Sequence, residues 1–324
     1  MGLQTGLVQL SRYDLDPTTD ISSKIRELLE KANAQFIVFG EKISCDLLIL
    51  RHPLILQDRQ RYVPSINAKD MRVVINQTPY KHYGSGGRFY YNIFRCVENL
   101  QHYFGQKGVW HPIGPQVRKA LTTNHESELS DITLSKEDWH NIINVNEWKR
   151  NHLPRKRKKI IIGRHSRDDF IKWPSDPQKI LQSYPNEELF EVRVLGGAES
   201  VKQLLGFLPS NWYVYEFGTM HPKDFLSDLD VFVYYTHPHW VESFGRVIFE
   251  AMAVGVPVII SPIYHGLFAD AAIYAQPEQV KEKICQLMNN IEYYERQVKK
   301  AQQYVKYKFG YTTHAARVKS LIEG

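Results

Sequence analysis

Short apolar runs recur with a regular beat through the second half of the chain, and that beat restricts the fold more than any other feature. The runs at residues 160–163, 191–195, 212–217, 231–236 and 256–261 are rich in β-branched or aromatic residues. Each ends in a turn signal and leads into a polar–apolar segment of helical length, so each reads as a strand feeding a helix. Strands alternating with helices predict an α/β fold built on a parallel sheet with helices on both faces. Ligands of such sheets bind beyond the carboxyl ends of the strands, which makes the residues after each strand the ones to read for function.

The beat weakens in the first half. Residues 36–40, 46–50, 71–76 and 109–111 read as strands, while 20–32 and 88–104 read as helices, the first capped from the Asp20 region. Residues 121–131 are polar and read as a loop, and 134–149 resume a helical pattern led by Ser135 and Glu137. With 324 residues, 43% apolar and 23% charged, the chain is long enough for about two domains with ordinary cores. Pro154 and a charge run coincide within 151–158, so domains are expected at 1–154 and 155–305. Residues 291–323 read as helix broken near Gly310, with 306–324 expected to cross back onto the first domain.

Charge and cysteine usage narrow the partners. A formal net charge of +6 implies anionic ones, and seven of the eleven residues at 149–159 are Lys or Arg. That run reads as a solvated linker, or as a contact with an anionic membrane surface. Nucleic acid is disfavoured, because no aromatics are interleaved and no helix-turn-helix, finger or RRM pattern accompanies it. No apolar run approaches the ~18 residues of a membrane span, and the amino terminus lacks the pattern of a secretory signal. Cys45, Cys96 and Cys285 are scattered without metal spacing. The expectation is a reduced, cytoplasmic setting, with peripheral contact at the inner face of the membrane left open.

Two features follow strands where ligands are expected. After 160–163 comes Gly163-Arg164-His165-Ser166-Arg167, then Phe170-Ile171-Lys172-Trp173-Pro174. A glycine ending the strand lets the chain turn, so Arg164 is expected to project over the strand end. Arg binds phosphate oxygens as a bidentate fork and Lys172 adds a point charge, a pair suited to a diphosphate. After 231–236 comes Glu242-Ser243-Phe244-Gly245-Arg246-Val247-Ile248-Phe249-Glu250. This spacing puts Glu242 in a loop and Glu250 on the first turns of a helix. Both then face an anion held by the unpaired N–H groups of the helix start. Singly, each acid is unremarkable. Their spacing around Phe-Gly, with Val247, Ile248, Ala251 and Met252 as a packing face, favours a site.

Gly163-Arg164…Lys172, Leu195-Gly196-Gly197, Glu242-Ser-Phe-Gly…Glu250-Ala-Met-Ala and Gly255-Val-Pro-Val-Ile together resemble the donor domain of retaining GT-B-fold glycosyltransferases. These are the family 4-like "glycosyl transferases group 1" of bacterial surface-polysaccharide type, and the match covers residues 160–279. The resemblance implies two Rossmann-type doubly wound domains facing across a cleft, the N-terminal one reduced. It implies that Glu242 touches the donor sugar, Glu250 the ribose, and Arg164 with Lys172 the diphosphate. Ser243, Phe244, Gly245, Gly163, Gly196 and Gly197 complete the implied donor site, and His52, after the 46–50 strand, is the candidate for a histidine near the reacting sugar. The implied reaction is retaining hexosyl transfer from a UDP- or GDP-type nucleotide sugar to a glycan or lipid-linked acceptor, without metal or other cofactor. No Gly-Gly acceptor loop follows the first strand. A catalytically weak or inactive subunit that binds a nucleotide sugar and supports a partner enzyme therefore stays open as the alternative.

Other signals carry less. Asp228-Leu229-Asp230 and Asp14-Leu15-Asp16 have the form of a metal-binding string. Asp230 precedes its strand, away from the site, so the first pair reads as structural; the second has no assigned place. His237, His239 and Trp240 lie beside Glu242 without metal spacing and are candidates to line the sugar pocket. Gly84-Ser85-Gly86-Gly87 reads as a loop rather than an anion cradle.

Overall fold

The computed structural model describes residues 3–10, 21–151 and 157–323. Asp14, Asp16, Asp20, Pro154 and the middle of the basic run lie outside the described residues. The chain divides into two compact units, Met1–Trp139 with Arg317–Gly324, and His140–Ala316.

In the first unit β1 (Gly6–Val8) and β2 (Gln35–Ile37) form a parallel pair. A second parallel sheet has the order β3 (Lys42–Arg51), β4 (Ser65–Ile75), β5 (Val109–Pro112), β6 (Thr133–Leu134). The helix α1 (Ser23–Lys31) starts from Ser22, whose side chain accepts from the Ile25 N–H. Helix α2 (Ile93–Phe104) starts from Asn92 rather than from residue 88, because Asn92 caps the Arg95 N–H and Phe89 bridges Tyr80.

Two expectations within residues 121–149 fail for physical reasons. Residues 121–131 are largely helical, in α3 (Pro115–Asn124) and α4 (Glu126–Leu129). The helix begins upstream, at Pro115, and buries Val117, Ala120 and Leu121 at helical spacing. Residues 134–149 are mostly not helical, with only α5 (Val145–Trp148) inside them. Tertiary contacts hold this stretch out of a helix. The Ser135 and Trp139 amides donate to Trp110 and Pro112 of β5 (2.8 and 2.7 Å), and Arg118 grips Asp138 at 2.6 Å.

The second unit is a single six-stranded parallel sheet. Its strands are β7 (Ile160–His165), β8 (Phe190–Leu195), β9 (Trp212–Tyr215), β10 (Val231–Tyr234), β11 (Val258–Ile260) and β12 (Ile273–Tyr274). The spatial order is β12-β11-β10-β7-β8-β9. Strands covered on both faces read as near-continuous apolar runs, and Ile160-Ile161-Ile162, Val231-Phe232-Val233 and Val258-Ile259-Ile260 do so. The connecting helices include α6 (Pro177–Ser183), α7 (Glu199–Leu205), α8 (Pro222–Ser227), α9 (Arg246–Val254), α10 (His265–Phe268) and α11 (Val280–Met288). Then α12 (Ile291–Phe309) and α13 (Tyr311–Glu323) flank Gly310, and α13 from Arg317 onward belongs to the first unit. The strand order reverses between β7 and β10, and such a switch point opens a crevice at the carboxyl ends.

Candidate functional site

The switch point is where the sequence-derived residues gather. Arg164 and His165 close β7, while Glu242 to Glu250 follow β10. Side chains alternate along a strand, so Arg164 and His165 enter opposite faces of the sheet.

Arg164 does not project over the strand end as a phosphate fork. Its side chain is fully buried, with the guanidinium 3.6 Å from the Trp173 ring centroid. It donates to the Lys172 carbonyl (2.7 Å) and Ser166 Oγ (3.1 Å), with longer contacts to Tyr184 and the Tyr235 carbonyl. A cation lodged against aromatic rings and carbonyls is a structural strut. It fixes the turn at Phe170–Lys172 that presents Lys172. Gly163 is not the turn glycine expected. It lies inside β7, and a Cβ there would come within 2.1 Å of Leu229 Cδ1, so close packing is what excludes a side chain.

Lys172 and Glu242 form the centre of the site. Lys172 Nζ donates to Glu242 Oε2 at 2.8 Å and stands 4.1 Å from the Trp240 ring centroid. The same carboxylate accepts from Tyr234 Oη (2.9 Å) and Trp240 Nε1 (3.0 Å). Burial by itself pushes the Glu242 carboxyl up, but the Lys172 ammonium and these donors more than offset it and hold the group below its ordinary value. Tyr234 also stands 5.3 Å beneath the Arg164 guanidinium and stacks on Phe232, which packs on His165. It links the surroundings of Glu242 to those of Glu250.

Helix α9 opens from Gly245, whose φ of +74° explains the glycine. A Cβ at Gly245 would sit 2.9 Å from Ile248 Cδ1 and 3.7 Å from Glu242 Cγ, so Glu242 lies against the helix start. Among the described residues no acceptor is found for the Gly245, Arg246 and Val247 amides, and no side chain caps the helix. These N–H groups and the dipole favour an anion. Ser243 is half-buried at this entrance. Phe244 is not at the surface of the site. It is buried, with its ring 5.1 Å from Phe249 and 5.3 Å from Phe309, and it anchors the turn.

Glu250 lies one turn into α9 and is 5% exposed. Arg246 reaches Oε1 at 3.2 Å, but its own side chain is 69% exposed, so the pair is weak. Burial pushes the Glu250 carboxyl up to about 7, against the opposing pull of Arg246. Across from it, His165 Nε2 stands 3.5 Å from Glu250 Oε2, too far for a hydrogen bond, and among the described residues no other partner satisfies it. Burial, with the charges of Arg164 and Arg246, lowers His165 to about 3, so the imidazole is neutral.

The remaining candidates are elsewhere. Gly196 and Gly197 both donate to the Tyr215 carbonyl (2.8 and 3.1 Å), which leaves those amides committed within the protein. A Cβ at Gly196 would approach Ser166 O to 2.0 Å, so this glycine admits the 166–168 loop. Asp168 already fills the start of α7, accepting from the Glu199 N–H at 2.7 Å. His52 belongs to the first unit and follows β3 in a left-handed conformation, φ +75°, with its amide 3.1 Å from Asn76 Oδ1. Asp228 is held by Arg157 and Arg193, and Asp230 accepts from the Ile161 N–H at 2.8 Å, both structural uses. The His237 and His239 rings lie 5.0 Å apart beside the site, Gly84–Gly87 is part of the Tyr80–Phe89 loop, and the described residues hold no group of three or more His, Cys, Asp or Glu placed for a metal ion. Sequence reading missed His165 and Tyr234. The period-two alternation beside Arg164 was the available signal for the first.

Residues 208–304 match the family model described as glycosyl transferases group 1. No curated protein matches the chain by sequence. Among solved structures, Staphylococcus aureus TarM, in complex with Fondaparinux, alpha-GlcNAc-glycerol and UDP, is similar with a TM-score of 0.62 at 15% identity, over 85% of this chain and 55% of that one. Anabaena HepE in complex with UDP has a TM-score of 0.61 at 14% identity, over 99% of this chain and 100% of its own. Sucrose-phosphate synthase from Thermosynechococcus elongatus has a TM-score of 0.61 at 14% identity, over 97% and 82%. The chain thus spans just over half the length of TarM, and the fold is α/β of the GT-B type.

Proposed function

We propose that this protein transfers a glycosyl unit from a nucleotide diphosphate sugar to an acceptor hydroxyl, with retention at the anomeric carbon. The observation that carries this reading is the Lys172–Glu242 pair lying against the uncapped start of α9 at the β7/β10 switch point. A cation and convergent amides would take up the charge of a diphosphate, and the carboxylate beside them would hold sugar hydroxyls. Neighbouring structures contain UDP, UDP-glucose and alpha-GlcNAc-glycerol, which supports a nucleotide-sugar donor and puts the uridine series first for testing.

In the reaction, the bond from the anomeric carbon to the diphosphate oxygen breaks with its electron pair leaving on the phosphate. The acceptor oxygen bonds to the same face of that carbon, and its proton passes to the departing phosphate. Lys172 and the Gly245–Val247 amides stabilise the leaving charge, which preorganised donors do at no reorganisation cost. Because those groups carry the charge, the reading requires no metal. Glu242 orients the sugar and Glu250 holds the ribose. Arg164 acts only by positioning Lys172. A bacterial surface glycan or lipid-linked precursor as acceptor, in the cytoplasm, belongs to the same proposal; attachment to an anionic membrane rests on the basic run alone.

The test is a thermal-shift and calorimetric screen of UDP, GDP and their sugars, followed by a nucleotide-release assay. A true donor at a hundredfold excess over Kd adds about 2.7 kcal/mol of stability. Binding with turnover supports the reading. Binding without turnover reduces the chain to a catalytically weak subunit, and no binding by any nucleotide diphosphate sugar overturns the reading.

A further inference from the structure

We infer that His165 and Glu250 form a two-point grip on a single hydroxyl of the nucleotide's ribose, with His165 the residue that makes the site select ribose over deoxyribose. The inference rests on the donor-site reading above and adds to it a residue that reading does not use.

Its basis is an incomplete pair. His165 is 8% exposed, wedged edge-on between the Phe225 and Phe232 rings at 6.3 and 5.8 Å. That packing fixes the direction of Nε2, which has no hydrogen-bond partner among the described residues. An unsatisfied buried polar atom costs about 1–3 kcal/mol, so its persistence calls for a use. Nε2 aims at Glu250 Oε2 across 3.5 Å. This gap is too long for a direct hydrogen bond, yet two atoms so spaced are both within about 2.8 Å of a third atom set to one side.

Above about pH 7, where Glu250 is ionised, the atom that fits must donate to its carboxylate and accept from an imidazole N–H at once. A hydroxyl has both capacities, whereas a carbonyl, an ammonium or a phosphate has only one. The neighbouring start of α9 offers amides to a diphosphate. On the donor-site reading, in which Glu250 meets the ribose, that hydroxyl belongs to the sugar on the nucleoside side of the diphosphate. The exposed Arg246 holds the other Glu250 oxygen and leaves Oε2 for the ligand.

The experiment compares calorimetric affinities of UDP, 2′-deoxy-UDP and 3′-deoxy-UDP, with the guanosine series in parallel, for wild type, His165→Phe and His165→Gln. Phe keeps the ring against Phe225 and Phe232; Gln keeps a polar donor. Wild type is expected to favour UDP over one deoxy analogue by on the order of tenfold. His165→Phe should weaken UDP several-fold while binding that analogue as wild type does, so the ratio collapses. His165→Gln should restore part of it. A wild type indifferent to both deoxy analogues, or a ratio unchanged in both variants, overturns the inference while leaving the donor-site reading intact. Absence of any nucleotide binding by wild type overturns both.

Discussion

Glu242 and Glu250 are eight residues apart, flank the same helix start and are both largely removed from water, yet they have opposite electrostatic fates. Glu242 has an ammonium, a phenol and an indole N–H converging on one oxygen, and it stays ionised. Glu250 has one exposed arginine and a histidine that stops short of bonding, and it holds its proton to about pH 7. Donors within hydrogen-bond reach, not burial alone, decide whether a buried carboxylate keeps its charge. The complete cluster describes a site built to hold charge in place. The incomplete one is the pair that the proposed ribose contact would complete.

The most severe test of this contrast is Glu242→Ala. Nucleotide release should fall between about 10² and 10³ in kcat/KM, equivalent to roughly 3–4 kcal/mol. The loss of a partner also leaves the Lys172 ammonium in a partly dry pocket, so the thermal midpoint should drop with it. The double variant Lys172→Met, Glu242→Gln should recover the midpoint and stay inactive. Recovery of activity there would sink the assigned roles.

Arg164→Ala should act differently, through the fold. It opens a cavity beneath Trp173 and strands the Lys172 carbonyl, at a cost of about 3 kcal/mol read by denaturant unfolding of the second unit. Arg164→Lys should not rescue it, because an ammonium cannot stack and fork as a guanidinium does. Full stability in Arg164→Ala would refute its role as a strut.

Glu250→Gln sharpens the comparison through pH. The folded state keeps the Glu250 proton to about 7, while a free glutamate ordinarily loses it near 4.5. Between these values the native state binds more protons than the unfolded one, so stability falls as pH rises and the deficit is complete above about 7. Gln removes this titration. The variant should gain on the order of 2–3 kcal/mol over wild type at pH 8, with no gain at pH 4. Parallel stability–pH curves for the two proteins would show that Glu250 ionises normally. The smallest effect belongs to Trp240→Phe, which keeps a ring for Lys172 but removes one donor to Glu242. A loss of about 1 kcal/mol, or roughly fivefold in kcat/KM, is expected; an unchanged value would remove Trp240 Nε1 from the account.

Much of the second unit was legible because its strands are covered on both faces. Such strands must be apolar throughout, and runs such as Val231-Phe232-Val233 signal themselves without knowledge of neighbours. The Glu242-to-Glu250 spacing was readable for a similar reason, since a loop acid, a left-handed glycine and a helix start are all local features. In the first unit the stretch from Ser135 to Trp139 misled, because its conformation is set by Trp110 and Pro112 on β5, distant in sequence.

The sequence by itself determined the alternation of strands and helices, the helix start at Gly245 and the pairing of acids around it. Those follow from propensity, period and turn chemistry acting over a few residues. Only the tertiary structure decided what each charged group does. Sequence could not tell that Arg164 is sealed under Trp173 while its neighbour Lys172 meets Glu242, nor that His165 stops 3.5 Å from Glu250. The reason is physical. A side chain's role depends on the dielectric and the donors around it, and those are supplied by residues brought together only when β7 and β10 lie side by side.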